Sequence, residues 1–427
     1  MRKILFALAL IASCTAAFAQ QDSIFKPKKI LCHGFVNPHF YADNRQVVGG
    51  REEMMLFYPK PQSSDPVSGV DINDGWNMNL LSITARVNLT LKGPYILGAY
   101  TKAFMEGDFT GSTNATNNNL RLRHAYINMD WDHSSLLAGQ FWYPMVVQEI
   151  MPNTRPLNMG APFHPYARYN QLRYTGRIGY HFEAIAVALF QQDNMSQGLL
   201  NGTSASSTQF IRQACVPEMH LQLRYWAFRL FVGAAANMLT IQPVVYTNLP
   251  AVLPDNYGQT FTNFSYTFFL KYRWDNYALS FQTLLNNSIY EGCSMGGYMA
   301  HTSFSGLTPS YSFDSWHFNT VWADFGRTTG HWRPGVFVGY GRNMAFGQQV
   351  NASDFVFGRG HDMEYLWRVQ PRIGYHANDQ FNVYAEAEYT RAQYGKQVLT
   401  PGSYHYDHDN DGGIGNLRLM LSAEYHF

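Results

Sequence analysis

Side chains alternate with a period of two along most of this chain, and nothing else in the sequence constrains the fold as tightly. Phe264, Tyr266, Phe268, Leu270, Tyr272 and Trp274 share one face of an extended segment, with Asn263, Ser265, Thr267, Lys271 and Arg273 on the other. Leu81, Ile83, Ala85, Val87, Leu89 and Leu91 likewise oppose Ser82, Thr84, Arg86, Asn88, Thr90 and Lys92. Sustained helical periodicity is absent, so the chain reads as all-β. A water-soluble sandwich yields one such strand. It does not explain a face of aromatics closing in Tyr and Trp, the rings that settle at membrane interfaces.

Composition points the same way. Aromatics make up 16% of the chain and charged residues only 14%, where a soluble domain carries about 25% charged residues. Mean hydropathy is nevertheless −0.25. Strands that face lipid on one side and water on the other give this average. A net charge of +1 offers nothing to a nucleic-acid partner.

Arg2 and Lys3 precede the apolar stretch Ile4 to Ala12, too short to cross a bilayer as a helix. Ala17-Phe18-Ala19 is a small-x-small cleavage site, so residues 1–19 read as a signal peptide and residues 20–427 as the exported barrel. Ile11-Ala12-Ser13-Cys14 also resembles a lipobox, which makes a lipidated Cys14 the rival reading, though a lipid anchor is redundant on a barrel. The exported chain keeps Cys32, Cys215 and Cys293. An odd, widely spaced set is no disulfide framework, and Cys32 and Cys215 are expected to be small buried hydrophobes in strand-like segments. No Cys/His spacing matches a zinc site.

The connections alternate in length. Gly93-Pro94, Asp132 to Ser135, Gly179 to Phe182, Trp226-Ala227, Asp275-Asn276, Arg327 to Gly330 and Ala377 to Asp379 read as tight turns. Longer polar segments lie between them: Ala42 to Gly75, Thr110 to Asn119, Tyr143 to Arg168, Asp193 to Thr208, Thr240 to Gln259, Asn286 to Ser312, Arg342 to His361 and Arg391 to Gly413. The pattern predicts an antiparallel transmembrane β-barrel of about 16 strands, with short periplasmic turns and long extracellular loops. Glu53 to Tyr58 reads as an extra strand or a hairpin extension, so the range is about 14 to 18. The last strand sets Leu417, Leu419, Leu421, Ala423, Tyr425 and Phe427 against Asn416, Arg418, Ser422, Glu424 and His426. Such a strand ending in Phe resembles the signal read by the bacterial barrel-assembly machinery.

Glu106-Gly107-Asp108-Phe109, then Leu120-Arg121-Leu122-Arg123-His124-Ala125-Tyr126, then Gly139-Gln140 resemble successive motifs of the DcaP-type trimeric porins. The resemblance covers about a third of the chain and implies a homotrimeric outer-membrane channel. Two departures bear on substrate. The helical N-terminal stalk frequent in that family is absent, and Phe141-Trp142 replace the polar residues that follow Gly-Gln.

A barrel of this size holds water, so its function rests on what narrows and charges the lumen. Tyr143 to Arg168 is expected to fold inward as the constriction; an external loop over the mouth is the alternative. Pro144, Pro152, Pro156, Pro162 and Pro165 stiffen it. Met145, Val146, Val147 and Ile150 offer an apolar surface, and Glu149 and Arg155 are its charges. Arg86, Arg368 and Arg418, extended by Arg173 and Arg372, form an expected basic wall, with Glu106 on the same strand set. Such a wall favours anions unless its arginines pair with the inward Glu364, Glu386, Glu388 and Glu424. Arg121 and Arg123 share parity with Ala125, Ile127 and Met129, which sends them outward, above the bilayer or into a subunit interface. Asp407, Asp409 and Asp411 have half of a calcium-loop spacing, but the twelfth position is Arg418, so a surface Ca²⁺ site competes with a plain acidic turn. No nucleophile motif is present, so no enzymatic role is expected. The expected function is passive diffusion of small hydrophilic solutes through an outer membrane, with a structural or adhesive barrel as alternative. Expected partners are the solutes, membrane lipid and the assembly machinery.

Overall fold

In a computed structural model, which describes residues 29–427 apart from 156, 158, 249–251, 287–289, 345–346, 401–402 and 410–411, the period-two pattern becomes a ring. Along β10 (Phe261–Arg273), Asn263, Ser265 and Thr267 are buried while Phe264, Tyr266 and Phe268 are 46%, 45% and 43% exposed. Polar inside and aromatic outside is the inverse of a water-soluble strand. It is stable only where the outer solvent is lipid. The expected signal peptide, and Cys14 within it, lie outside the described residues.

Before β10 in chain order, β1 joins Lys29–Val36 to His39–Arg45, and β2 joins Asp74–Leu81 to Arg86–Ile96. Then come β3 (Ala99–Asp108), β4 (Arg121–Asp130), β5 (Ser134–Trp142), β6 (Arg168–Ile178), β7 (Phe182–Phe190), β8 (Glu218–Ala227) and β9 (Leu230–Ile241). After it follow β11 (Tyr277–Leu285), β12 (Phe318–Arg327), β13 (Trp332–Asn343), β14 (Met363–His376), β15 (Phe381–Thr400) and β16 (Ile414–His426). All sixteen pair antiparallel with their neighbours into a closed barrel, with little helix.

The ring closes where β16 pairs with β1, from Phe35 opposite His426 to Asp43 opposite Arg418. Phe427 completes the ladder by exchanging two 3.0 Å backbone hydrogen bonds with Gly34. A Cβ on Gly34 would lie 2.5 Å from the Phe427 ring and 2.4 Å from the Arg86 carbonyl. The closing aromatic therefore requires glycine beneath it.

Several expectations are corrected in detail. Gly93-Pro94 lies inside β2 at a register shift between Lys92 and Tyr95, because proline without an N–H is accommodated at a bulge. The turn itself is Leu97-Gly98, both at positive φ. Trp226-Ala227 end β8, and the turn falls on Phe228-Arg229, which carry no Gly or Pro to announce it. The face expected from Leu81 through Leu91 is broken at Ser82–Ala85, where the Ala85 N–H donates to the Ser82 carbonyl. Parity flips there: Trp76, Met78 and Leu80 face out before the break and Val87 and Leu89 after it, while Ile83 is buried. Cys32 and Cys215 are exposed rather than buried. Cys32 sits on the outer face of β1, and Cys215 caps the short helix α1 (Gln209–Ala214).

The long loops are structured. Val47–Gly50 and Met55–Pro59 pair as a hairpin, which resolves the Glu53 to Tyr58 ambiguity. Above the ring, Gln197–Leu200 with Thr203–Ser206, and Gly296–Ser305 with Thr308–Trp316, form further hairpins. They share an apolar cluster that includes Leu199, Phe210, Tyr298 and Phe357.

Candidate pore lining

The segment from Tyr143 to Ala167 leaves β5 and bonds to inward side chains around the ring. Gln282 of β11 donates to the Met145 carbonyl (3.0 Å), and Lys271 of β10 to the Glu149 carbonyl (2.6 Å). The Glu149 carboxylate accepts from Arg224 of β8 at 2.9 Å. The Asn153 N–H donates to Asp324 of β12 (3.1 Å), and the Arg155 N–H to Glu386 of β15 (3.2 Å). Arg368 of β14 donates to the Ala161 carbonyl (2.8 Å) and Thr320 of β12 to that of Phe163 (3.1 Å).

Apolar contacts fill between these bonds. Met145 and Val146 share a cluster with Ile185, Val187 and Leu189 of β7. Val147, Ile150 and Phe163 share another with Phe231, Phe269, Trp322 and Phe337. The loop thus explains why β7 turns its large aliphatics inward. A Cβ on Gly339 would meet the Phe163 ring at 2.6 Å, so glycine in β13 lets that ring lie on the wall. His164 stacks edge-on to Trp322. Burial pushes its pKa down to about 3, so it stays neutral.

The expected basic wall is largely committed to protein partners. Arg418 forks onto Asp43 at 2.9 and 2.6 Å and donates to the carbonyls of Glu53 and Met54. Arg368 pairs with Glu388 at 3.1 Å and donates to Thr390 and the carbonyls of Leu56 and Phe57. Both are fully buried and hold the first loop's hairpin inside the ring. Arg372 forks onto Asp324 at 2.6 and 3.0 Å. Arg86 lies 3.6 Å from Glu106 and over the Phe35 ring. Arg173 lies over Phe141. Arg155 reaches Glu424 at 3.8 Å and covers the Tyr384 ring. Of the calcium candidates, Asp407 lies 3.4 Å from His405, Asp411 is outside the described residues, and no metal-holding group of three side chains occurs among those described.

Arg121 and Arg123 do not face outward as parity predicted. A register shift between Glu106 and Gly107 puts an extra residue into β4 and turns both guanidinium groups inward. Arg123 bonds Glu106 at 2.7 Å and Asp108 at 2.6 Å, and Arg121 bonds Asp108 at 3.0 Å.

Between Met151–Arg155 of the third loop and the inner faces of β10–β14 lies a cavity of about 430 Å³, at the short-turn end of the lumen. Arg155, Lys271, Arg327, Arg333 and Arg372 line it, with Asp324 as the one carboxylate among the described lining residues. Lys271, Arg327 and Arg333 were not singled out in the sequence. Lys271 carried the inward-parity signal, but the other two sit beside a turn, where parity gives no direction.

No family model and no curated protein matches this sequence. Solved structures do match its fold. The outer membrane channel DcaP of Acinetobacter baumannii is 14% identical over 93% of this chain and 97% of its own, with a TM-score of 0.64. The anion-selective porin from Comamonas acidovorans is 9% identical over 93% and 99%, with a TM-score of 0.55. Salmonella typhi OmpF is 12% identical over 94% and 98%, with a TM-score of 0.51. With polar residues inside, aromatics outside and a ring closed between its first and last strands, the chain has the closed sixteen-strand β-barrel fold of the outer-membrane porins.

Proposed function

We propose that this barrel is a porin through which small hydrophilic solutes diffuse passively, with a preference for anions. The observation that carries this reading is the cavity beside the third loop, where five cationic side chains face one carboxylate. Fixed charge acts strongly only within a Debye length, ~8 Å at physiological salt. A loop that narrows the lumen is what makes those charges felt by a passing ion. In this reading the Tyr143–Arg168 loop is the constriction, residues 1–19 are removed on export, the assembly machinery inserts the chain, and the functional unit is a homotrimer.

The experiment is a reversal potential in planar bilayers under a salt gradient. Replacing Lys271, Arg327 and Arg333 with Gln should move it toward cation preference while conductance stays similar or rises. An unchanged potential would discard those residues as the selectivity determinants. A second reading, a structural or adhesive barrel, is favoured by the two loops packed inside the ring. It predicts no conductance from the wild-type protein, and a catalytic role would show as substrate turnover without flux.

A further inference from the structure

Five guanidinium groups converge on the root of the third loop. Arg123 and Arg121 come from β4, Arg168 opens β6, Arg86 comes from β2, and Arg51 comes from the first loop's hairpin. Only two carboxylates of β3 answer them, Glu106 and Asp108. Buried charge of one sign is costly unless it is paired. The side chain at the centre of the cluster is Tyr166, on the loop's return leg and 4% exposed.

Its hydroxyl oxygen accepts from Arg168 at 2.6 Å and from Arg123 at 3.3 Å. Guanidinium nitrogens only donate. Among the described residues no acceptor takes the phenolic proton, so the oxygen is arranged as an anion would be. Buried donor nitrogens on the Arg51, Arg86, Arg123 and Arg168 guanidinium groups still lack a hydrogen-bond acceptor, and Arg86 has only the 3.6 Å approach to Glu106, which marks the cluster as short of negative charge. The remaining groups do not fill that deficit. His124 of β4 lies 3.9 Å from Glu106. Glu291, from the sixth loop, bonds Ser196, and burial pushes its carboxyl up to about 7. Burial likewise raises the Cys293 thiol.

We propose that Tyr166 is the third anion of this arginine cluster, a phenolate that ties the return leg of the loop to the barrel wall. Burial alone would keep the phenol neutral, but Arg123, Arg168 and Arg121 outweigh it and bring its pKa down to about 7, against about 10 for a free tyrosine. As pH falls through that value the oxygen takes a proton from water, the wall gains one net positive charge, and the loop keeps only neutral acceptance from its two arginines. Resting on the porin reading, this makes Tyr166 a determinant of pH-dependent selectivity.

The test reads tyrosinate directly and needs no transport. The ultraviolet absorbance of the folded barrel is titrated, and the Y166F curve is subtracted from the wild-type curve. The difference should be one tyrosinate with its midpoint near pH 7. In R168Q, which keeps the tyrosine and removes one cation, the midpoint should move up. A flat difference curve, a midpoint at the ordinary tyrosine value, or an R168Q midpoint that does not move would each overturn the proposal. In bilayers, wild type should gain anion preference between alkaline and mildly acidic pH more than Y166F does. Equal gains alongside a tyrosinate midpoint near pH 7 would leave the phenolate but refute its role in selectivity, while a channel that conducts nothing would refute only the porin reading.

Discussion

Arg418 and Asp43 meet inside the ring with both charges out of water. Attraction between such charges roughly offsets their desolvation, so the pair matters most when it is broken. Arg418→Met alone strands Asp43 and should destabilise the barrel by about 3–5 kcal/mol, read as a shift of the denaturant midpoint. Adding Asp43→Leu removes the stranded charge and should recover much of that loss. If the double variant is no more stable than the single one, the stranded-charge account of this site is wrong. The direction of Arg418 was legible from strand parity, because Leu417 and Leu419 on either side must face lipid. Its partner was not. Asp43 lies 375 residues away, and only barrel closure brings the two together.

At the scale of strands and loops, the hypothesis is that the long loops face outward and the short turns face the periplasm, on the asymmetry of the connections. A cysteine placed at Asn119 should be labelled on intact cells by an impermeant maleimide, and one at Asn276 only after lysis. The reverse pattern would invert the topology. Most strands were legible because each repeats a two-residue code that lipid and water enforce on opposite faces. That code fails at bulges. Ser82–Ala85 and the extra residue in β4 each shift parity by one. The second turned Arg121 and Arg123 from an expected outer face to the lumen, where Glu106 and Asp108 wait. Loop interiors were legible only as composition. The prolines and aliphatics of Tyr143–Arg168 suggested a packed segment, but which strands would receive it depended on side chains such as Gln282 and Asp324, far along the sequence.

For the whole molecule, the outer face is the surface left for lipid and for other subunits. With Arg121 and Arg123 inside, the trimer hypothesis rests on the family resemblance and on the porin fold rather than on outward charge. Unheated gel migration or mass photometry in detergent should show about three times the monomer mass; a clean monomer that conducts would refute it. The central claim is transport, and solute flux tests it most directly. Purified protein in liposomes should admit small hydrophilic solutes faster than protein-free liposomes do, and a small anion faster than a cation of equal size. Flux indistinguishable from the protein-free control would contradict the account and leave a barrel whose lumen its own loops have closed.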